Sequence, residues 1–254
     1  MVILAPLLTS YNPNLVDLDH TILSPCSDYI LGTDRVGRDV FTRLLYGGRI
    51  SIMIGLTAAL STAALGIILG CIGGFMGSWV DKIILRFSEF MQIFPNMMLI
   101  LVLMTFMGQG LINLMIIFTA TGWMGYYRLV RARFFSIREE NFVLALQALR
   151  IPKTSIMFRH MLPNTMGPLI ISITMNTAGY ILSESGLTYL GVGIPPNIPT
   201  WGNIINAAKS INVIINQWWL WVPPGIAISL FVLGVNFLGD GLRDVLDPKQ
   251  SKRG

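Results

Sequence analysis

Apolar residues run along this chain in long stretches broken by short polar segments, a pattern that predicts membrane-crossing helices. A helix needs about 20 residues to cross a bilayer. Ile50 to Val80 contains no charge. Phe90 to Tyr127 contains none either and is too long for one crossing; Gly108-Gln109-Gly110 divides it in two. Asn164 to Ser183 is uncharged and is expected to continue past Glu184, and Trp218 to Gly239 is the last stretch. That makes five spans. Residues 1–9, MVILAPLLT, are apolar but cover less than half a membrane, and no basic segment precedes them as in a signal peptide. They read as the tail of a first span whose start the chain lacks.

The loops orient the spans. Arg131 to Pro163 carries six basic residues, Arg131, Arg133, Arg138, Arg150, Lys153 and Arg159, against Glu139 and Glu140, so it is expected inside. The short loop at Asp81 and Lys82 and the C-terminal tail then also lie inside, while Tyr11 to Arg49 and Gly191 to Gln217 lie outside. The Trp218-Trp219-Leu220-Trp221 cluster suits the outer interface, where amphipathic rings settle. Gly66, Gly70 and Gly74 recur every fourth residue, a spacing that lets helix backbones approach closely, within the chain or against a partner.

Composition supports the membrane reading. Of the 254 residues 53% are hydrophobic and only 12% charged, against about 25% charged in soluble domains. The net charge of +5 sits in loops without a basic, aromatic-interleaved stripe, which argues against nucleic acid. Cys26 and Cys71 read as two unpaired thiols. The 14 methionines read as gap fillers in the spans.

Catalytic chemistry is hard to place. There is no GxxxxGK[ST] loop to hold ATP, and no HExxH or GxSxG. His20 and His160 fall on opposite sides of the membrane in this topology. Arg86 and Glu89 stand three apart and are expected to pair on a helix. Glu184 is the main ionisable group within a span; it lines a water-filled path or caps a local break near Ser183 and Ser185.

The inner loop is more informative. In NFVLALQAL, Asn141 to Leu149, helix formers predominate, and Phe142, Leu146 and Leu149 share one face. Ile151-Pro152 breaks this helix, a second runs from Lys153 to His160, and Pro163 is expected to end it at the membrane. Such a hairpin docks in a partner's groove, as a lever on the spans, or rests on lipid headgroups; physics alone leaves both open.

This loop resembles the "EAA" coupling loop of binding-protein-dependent ABC importer permeases, approximately E-x-x-x-A-A-x-x-x-G and then I-x-x-x-H-x-x-P-N. Ala145, Ile156, His160, Pro163 and Asn164 match. Asn141 stands at the Glu position with Glu140 before it, Leu146 at the second Ala, and Arg150 at the turn Gly. Leu31 to Ser51 is similar to the GTD-x-x-GRD block of the C-type permeases of dipeptide, oligopeptide and nickel transporters, at Gly32, Thr33, Asp34, Gly37, Arg38, Asp39, Arg43 and Gly48. LSESGLTYLGVGIPPNIPTWGNII (Leu182 to Ile205) and LGDGLRDVLDPK (Leu238 to Lys249) agree as well.

The resemblance implies an all-α, polytopic membrane protein of the MetI-like type I permease fold in a bacterial inner membrane. It has five full spans plus the remnant of a first: residues 1–9 the remnant, 10–49 an extracytoplasmic loop, and 50–250 the transmembrane domain with its coupling loop at 139–164. It implies a non-catalytic subunit without a cofactor of its own, ATP and Mg being bound by partner subunits. Those partners are a second, B-type permease, two cytoplasmic ATPases, one of them docking on Asn141, Phe142, Leu146, Leu149 and their neighbours, an extracytoplasmic binding protein over Leu31 to Ser51, and membrane lipid. The implied cargo is a peptide, with nickel or a metal chelate as the alternative within the family. An ATP-independent secondary transporter and a membrane-embedded enzyme are the alternatives outside it.

Overall fold

The computed structural model describes residue 2 and residues 4–246. Met1 and Ile3 of the expected remnant, and residues 247–250, which end the C-terminal block and the expected transmembrane domain, lie outside the described residues. Helix dominates and no strand forms among the described residues. The helices are α1 (Ala5–Leu8), α2 (Val40–Met76), α3 (Ser78–Ile93), α4 (Asn96–Met107), α5 (Leu111–Gly122), α6 (Met124–Ile137), α7 (Asn141–Ala148), α8 (Lys153–Ser155), α9 (Met166–Leu190), α10 (Trp201–Ile205), α11 (Ile211–Asn216) and α12 (Val222–Leu246).

Helix α2 starts ten residues before the apolar stretch that announced it. Asp39 caps it: its Oδ2 accepts from the Thr42 amide at 2.9 Å and from Thr42 Oγ1 at 2.5 Å. Its 37 residues extend about 55 Å at 1.5 Å per residue, well beyond a hydrocarbon core of about 30 Å. Arg43 and Arg49 had hidden this outer end. At the other end the expected short loop at Asp81 and Lys82 is instead a corner followed by a helix. Gly77 and Ser78 both take positive φ, 59° and 54°, and α3 then runs through Asp81, Arg86 and Glu89. Its Trp79, Ile83, Phe87 and Phe90 form an exposed stripe at three- and four-residue spacing. Arg86 and Glu89 pair at 3.0 Å.

The break at Gly108-Gln109-Gly110 stands where expected, between α4 and α5. Gly108 takes φ 81°, and Asn113 Nδ2 caps α4 by donating to the carbonyls of Met107 (2.7 Å) and Gly108 (3.2 Å). By length and composition α2 and the run Trp218–Leu246 can each cross a membrane, and a third crossing arises if α3 and α4, bent by 89°, form one broken span. Ser172, Asn176, Ser183 and Glu184 dilute α9, and the α5–α6 run turns polar at Arg128.

The chain divides into two compact units. One comprises Met1–Thr57, Leu101–Met115 and Thr177–Gly234. Its core gathers Val40, Ile181, Trp201, Trp219, Leu220 and Ile228. The other comprises Ala58–Ile100, Ile116–Asn176 and Val235–Gly254. There the glycine ladder receives α6: a Cβ on Gly66 would meet the Trp123 carbonyl oxygen at 2.5 Å, one on Gly70 Val130 Cβ at 2.7 Å, and one on Gly74 Phe134 Cβ at 2.6 Å. The small-residue face is thus used within the chain. Cys26 is exposed, Cys71 is buried, and both are free thiols.

Candidate functional site

The hairpin expected on the inner side begins with α7, whose first residue follows an extended Glu140. The i, i+4, i+7 pattern had grouped Phe142 and Leu149 with Leu146. The structure divides them. Val143 is the residue fully buried, and Leu146 packs beside it. Phe142 is 39% exposed and Leu149 73%; Asn141 and Ala145 also face outward. After the turn Ile156 and Met157 are buried against Val143 and against Phe134 and Ile137 of α6. Each such apolar side chain contributes about 1.5–3 kcal/mol when buried, so one face of the hairpin is fixed to α6 while Phe142, Leu149 and Phe158 remain uncovered.

The turn itself is closed at Arg150. Leu149 ends α7 and Arg150 takes φ 55°. Its amide donates to the Gln147 carbonyl at 3.0 Å, and the Ile151 amide to that of Leu146 at 3.1 Å. This is the paired closure that usually employs glycine at the left-handed position. The turn geometry therefore survives the Arg substitution for the pattern's Gly.

Pro163 does not end the second helix, as its sequence position suggested. A π-helical turn, Ile156–Met161, and a 3-10 turn, Leu162–Thr165, carry the chain straight into α9. The wider π turn accommodates a proline ring that an ideal helix would reject. Asn164 Nδ2 donates to the His160 carbonyl at 2.7 Å, in place of a helical amide. His160, Pro163 and Asn164 thus form the joint between hairpin and α9.

In the other unit, the Leu31 to Ser51 block folds on itself. Gly32 and Gly37 take φ of 67° and 77°, and a Cβ on Gly37 would lie 1.6 Å from the Asp17 carbonyl oxygen. Thr33 is buried, donating to the His20 carbonyl at 2.5 Å and accepting from the Leu23 amide at 2.8 Å. Asp34 binds Arg38 Nε at 2.7 Å. Arg43, 3% exposed at its side chain, donates to the carbonyls of Pro13 (3.0 Å) and Pro196 (3.3 Å), and Arg38 also reaches Pro196 at 3.3 Å. These residues act first as turn positions, a helix cap and loop staples.

Residues 65–252 match the family described as binding-protein-dependent transport system inner membrane component. The chain belongs to this family. A permease protein of Brucella suis is 38% identical over 98% of this chain and 82% of its own length. The oligopeptide transport system permease protein OppC of Bacillus subtilis is 36% identical over 99% of this chain and 82% of its own length. The dipeptide transport system permease protein DppC of the same organism is 36% identical over 98% and 78%. The permease is thus an inner-membrane subunit of an ABC importer, and ATP hydrolysis belongs to partner subunits.

Two polar clusters in this permease escaped the sequence pattern. Arg131 binds both carboxylate oxygens of Asp81, Nε at 2.5 Å and Nη2 at 2.6 Å, while Tyr127 Oη donates to Asp81 Oδ1 at 3.0 Å. Asp81 and Arg131 are fifty positions apart in sequence, beyond any local pattern; the expectation that both lie on the inner side was the available signal. In the other unit Glu184 is fully buried. It accepts from Ser51 Oγ at 3.2 Å and Thr188 Oγ1 at 3.0 Å, and Ser51 Oγ accepts in turn from the Trp201 amide at 3.1 Å. Helix α9 runs through Ser183 and Ser185 unbroken, so Glu184 caps no break, and in this conformation its carboxylate is enclosed by the chain.

Proposed function

We propose that this permease forms half of a peptide translocation pathway, driven by ATP through alternating access. The observation that carries the reading is the inner hairpin: one face is locked onto α6, and the other presents Phe142, Leu149 and Phe158 uncovered. An apolar helix face of this kind suits a groove on a partner protein, and a motor subunit that binds there can pull on α6 and α9. The docking set would be Asn141, Phe142, Ala145, Leu149 and the Arg150 turn, on one of two cytoplasmic ATPases, with a second, B-type permease on the other. Residues 10–49 would face outward beneath a solute-binding protein, and the five-span topology with its inside hairpin goes with this arrangement. Peptide cargo is favoured by the oligopeptide and dipeptide permeases among the relatives.

Uptake of a labelled dipeptide and of labelled nickel in cells deleted for this gene and complemented by it decides the cargo. Peptide uptake that is lost with the ATPase genes is the expected result. Nickel uptake without peptide uptake overturns the cargo, and uptake that survives loss of the ATPases but collapses with the proton gradient overturns the mechanism.

A further inference from the structure

We propose that the Asp81–Arg131 pair is a positioning latch that transmits movement of the inner hairpin to the α2–α3 corner. The proposal rests on the docking role assigned to that hairpin. Three observations within this unit carry it.

The first is the connection between hairpin and α6. Val143, Ile156 and Met157 share a core with Phe134 and Ile137, so the last turns of α6 move with the hairpin. The second is the character of the contacts that α6 makes further back. Against α2 it meets Gly66, Gly70 and Gly74, and Cys71 and Phe75 share the core with Val130 and Phe134, a close van der Waals face. Against α3 it makes directional bonds. Arg131 grips Asp81 through both oxygens, a geometry that specifies orientation as well as distance. Tyr127 adds a third bond, and the Arg131 guanidinium rests 4.6 Å from the Phe135 ring centre. Arg128 donates to Gln92 further along α3. Of these links only Asp81–Arg131 joins opposite charges, with Asp81 6% exposed and the Arg131 side chain 25% exposed.

The third observation is where Asp81 sits. It is in the first turn of α3, and its amide donates to the Gly77 carbonyl at 3.3 Å. Ser78, in the corner, takes φ 54°, a left-handed conformation unfavourable for a side-chain-bearing residue. A strained corner needs its surroundings to hold it, and the latch supplies a bond from α6 three residues later. Movement of α6 along the glycine face therefore pulls on this corner through Arg131, and loss of the pair leaves α6 free to slide without it.

The test uses the full importer reconstituted in liposomes, with second permease, ATPases and binding protein. The readouts are stimulation of ATP hydrolysis by peptide-loaded binding protein and ATP consumed per peptide imported. Asp81→Asn and Arg131→Gln are expected to assemble and keep basal hydrolysis while stimulation falls about tenfold, the scale of a typical coupling energy. The exchanged double variant, Asp81→Arg with Arg131→Asp, is expected to recover most of it, while the unchanged basal hydrolysis of the singles separates lost coupling from a merely structural loss. Single variants that retain full stimulation, or an exchanged variant no better than the singles, overturn the proposal. Should the singles fail to assemble, Tyr127→Phe keeps the ion pair and removes one bond; unchanged stimulation there overturns it, and a two- to threefold fall supports it. A wild-type importer without any stimulation sinks the docking role itself, whereas a stimulated wild type with unaffected variants sinks the latch alone.

Discussion

The Ile151 amide donates to the Leu146 carbonyl over 3.1 Å, and the chain between them passes through Arg150 at φ 55°. Both residues are half-buried against the same hairpin core, so polar closure and apolar burial fall together, as in glycine-closed helix ends. A side-chain-bearing residue in the left-handed region costs about 1–2 kcal/mol. Glycine would remove that cost but adds about 0.5–1 kcal/mol of chain entropy to the unfolded state. Arg150→Gly is therefore expected to stabilise the turn by about 1.5 kcal/mol at most and to leave transport intact. Arg150→Val, branched at Cβ, is expected to destabilise it by about 1 kcal/mol or more. Amide hydrogen exchange at Leu149–Ile151 in the assembled importer reads both; slower exchange in the Val variant would contradict the geometry.

Glycines of this chain are not equivalent, and the difference is measurable. A Cβ on Gly66 would stand 2.5 Å from both the Trp123 carbonyl oxygen and Tyr126 Cβ, whereas one on Gly125 meets nothing within 4 Å. Overpacking a close helix contact costs about 1–3 kcal/mol. Gly66→Val is thus expected to lower the yield of folded permease and its melting temperature in detergent. Gly125→Ala is expected to match the wild type or exceed it slightly, since alanine is the better helix former.

Much of this architecture was legible because membrane helices must be apolar and their breaks must be polar or flexible. The Gly108–Gly110 break, the Arg86–Glu89 pair and the close approach at Gly66 are all local or periodic. What escaped is non-local or counters the local rule. The start of α2 was hidden because Arg43 is held by carbonyls of Pro13 and Pro196, and Pro196 lies over 150 residues away. Asp81 suggested a loop because its partner Arg131 lies fifty residues away, in the basic segment after another apolar stretch. Pro163 suggested a helix end because a π turn, which rearranges the hydrogen bonds before it, leaves no composition signal. At the hairpin, periodicity found a helix and an apolar face, yet it could not tell that Val143 turns inward while Leu149 stays outside.

The outer loop should respond to pH through one pair. His20 Nδ1 lies 2.7 Å from Asp17 Oδ2. This hydrogen bond, with the attraction of Asp17, raises the His20 pKa above its usual 6.5, and the same bond lowers that of Asp17 below the usual 3.8. A raised histidine pKa means that the folded loop binds the proton more tightly than the unfolded chain. Its stabilisation is complete below about 6.5 and is lost as pH rises through the higher folded value. Hydrogen exchange at the Leu23 and Thr33 amides, next to the His20 carbonyl contact, should therefore quicken modestly across that window beyond its intrinsic pH dependence. His20→Gln should abolish the step. A step of equal size in the variant would assign the titration elsewhere. The pair is solvent-exposed, so added salt should shrink the effect.

Glu184 offers the sharpest separation between a structural and a transport role. Its carboxylate joins Ser51 on α2 to Thr188 on α9, and Ser51 passes the connection to the Trp201 amide at the start of α10. Glu184→Ala would take the acceptor from the buried hydroxyls of Ser51, Ser185 and Thr188 and leave a cavity, at a cost of about 3 kcal/mol. Glu184→Gln keeps the volume and one acceptor oxygen, so about 1 kcal/mol is expected. Ser51→Ala should cost about 1–3 kcal/mol by leaving the buried Trp201 amide without its acceptor. Because Ser51 and Glu184 share one network, the double variant Ser51→Ala with Glu184→Gln should lose less than the sum of the singles. Melting temperatures of the detergent-solubilised importer give all four values. If instead Glu184→Gln changes peptide uptake while melting stays at the wild-type value, Glu184 meets cargo in another conformation of the transport cycle, and the enclosed carboxylate described here is one state of a moving group.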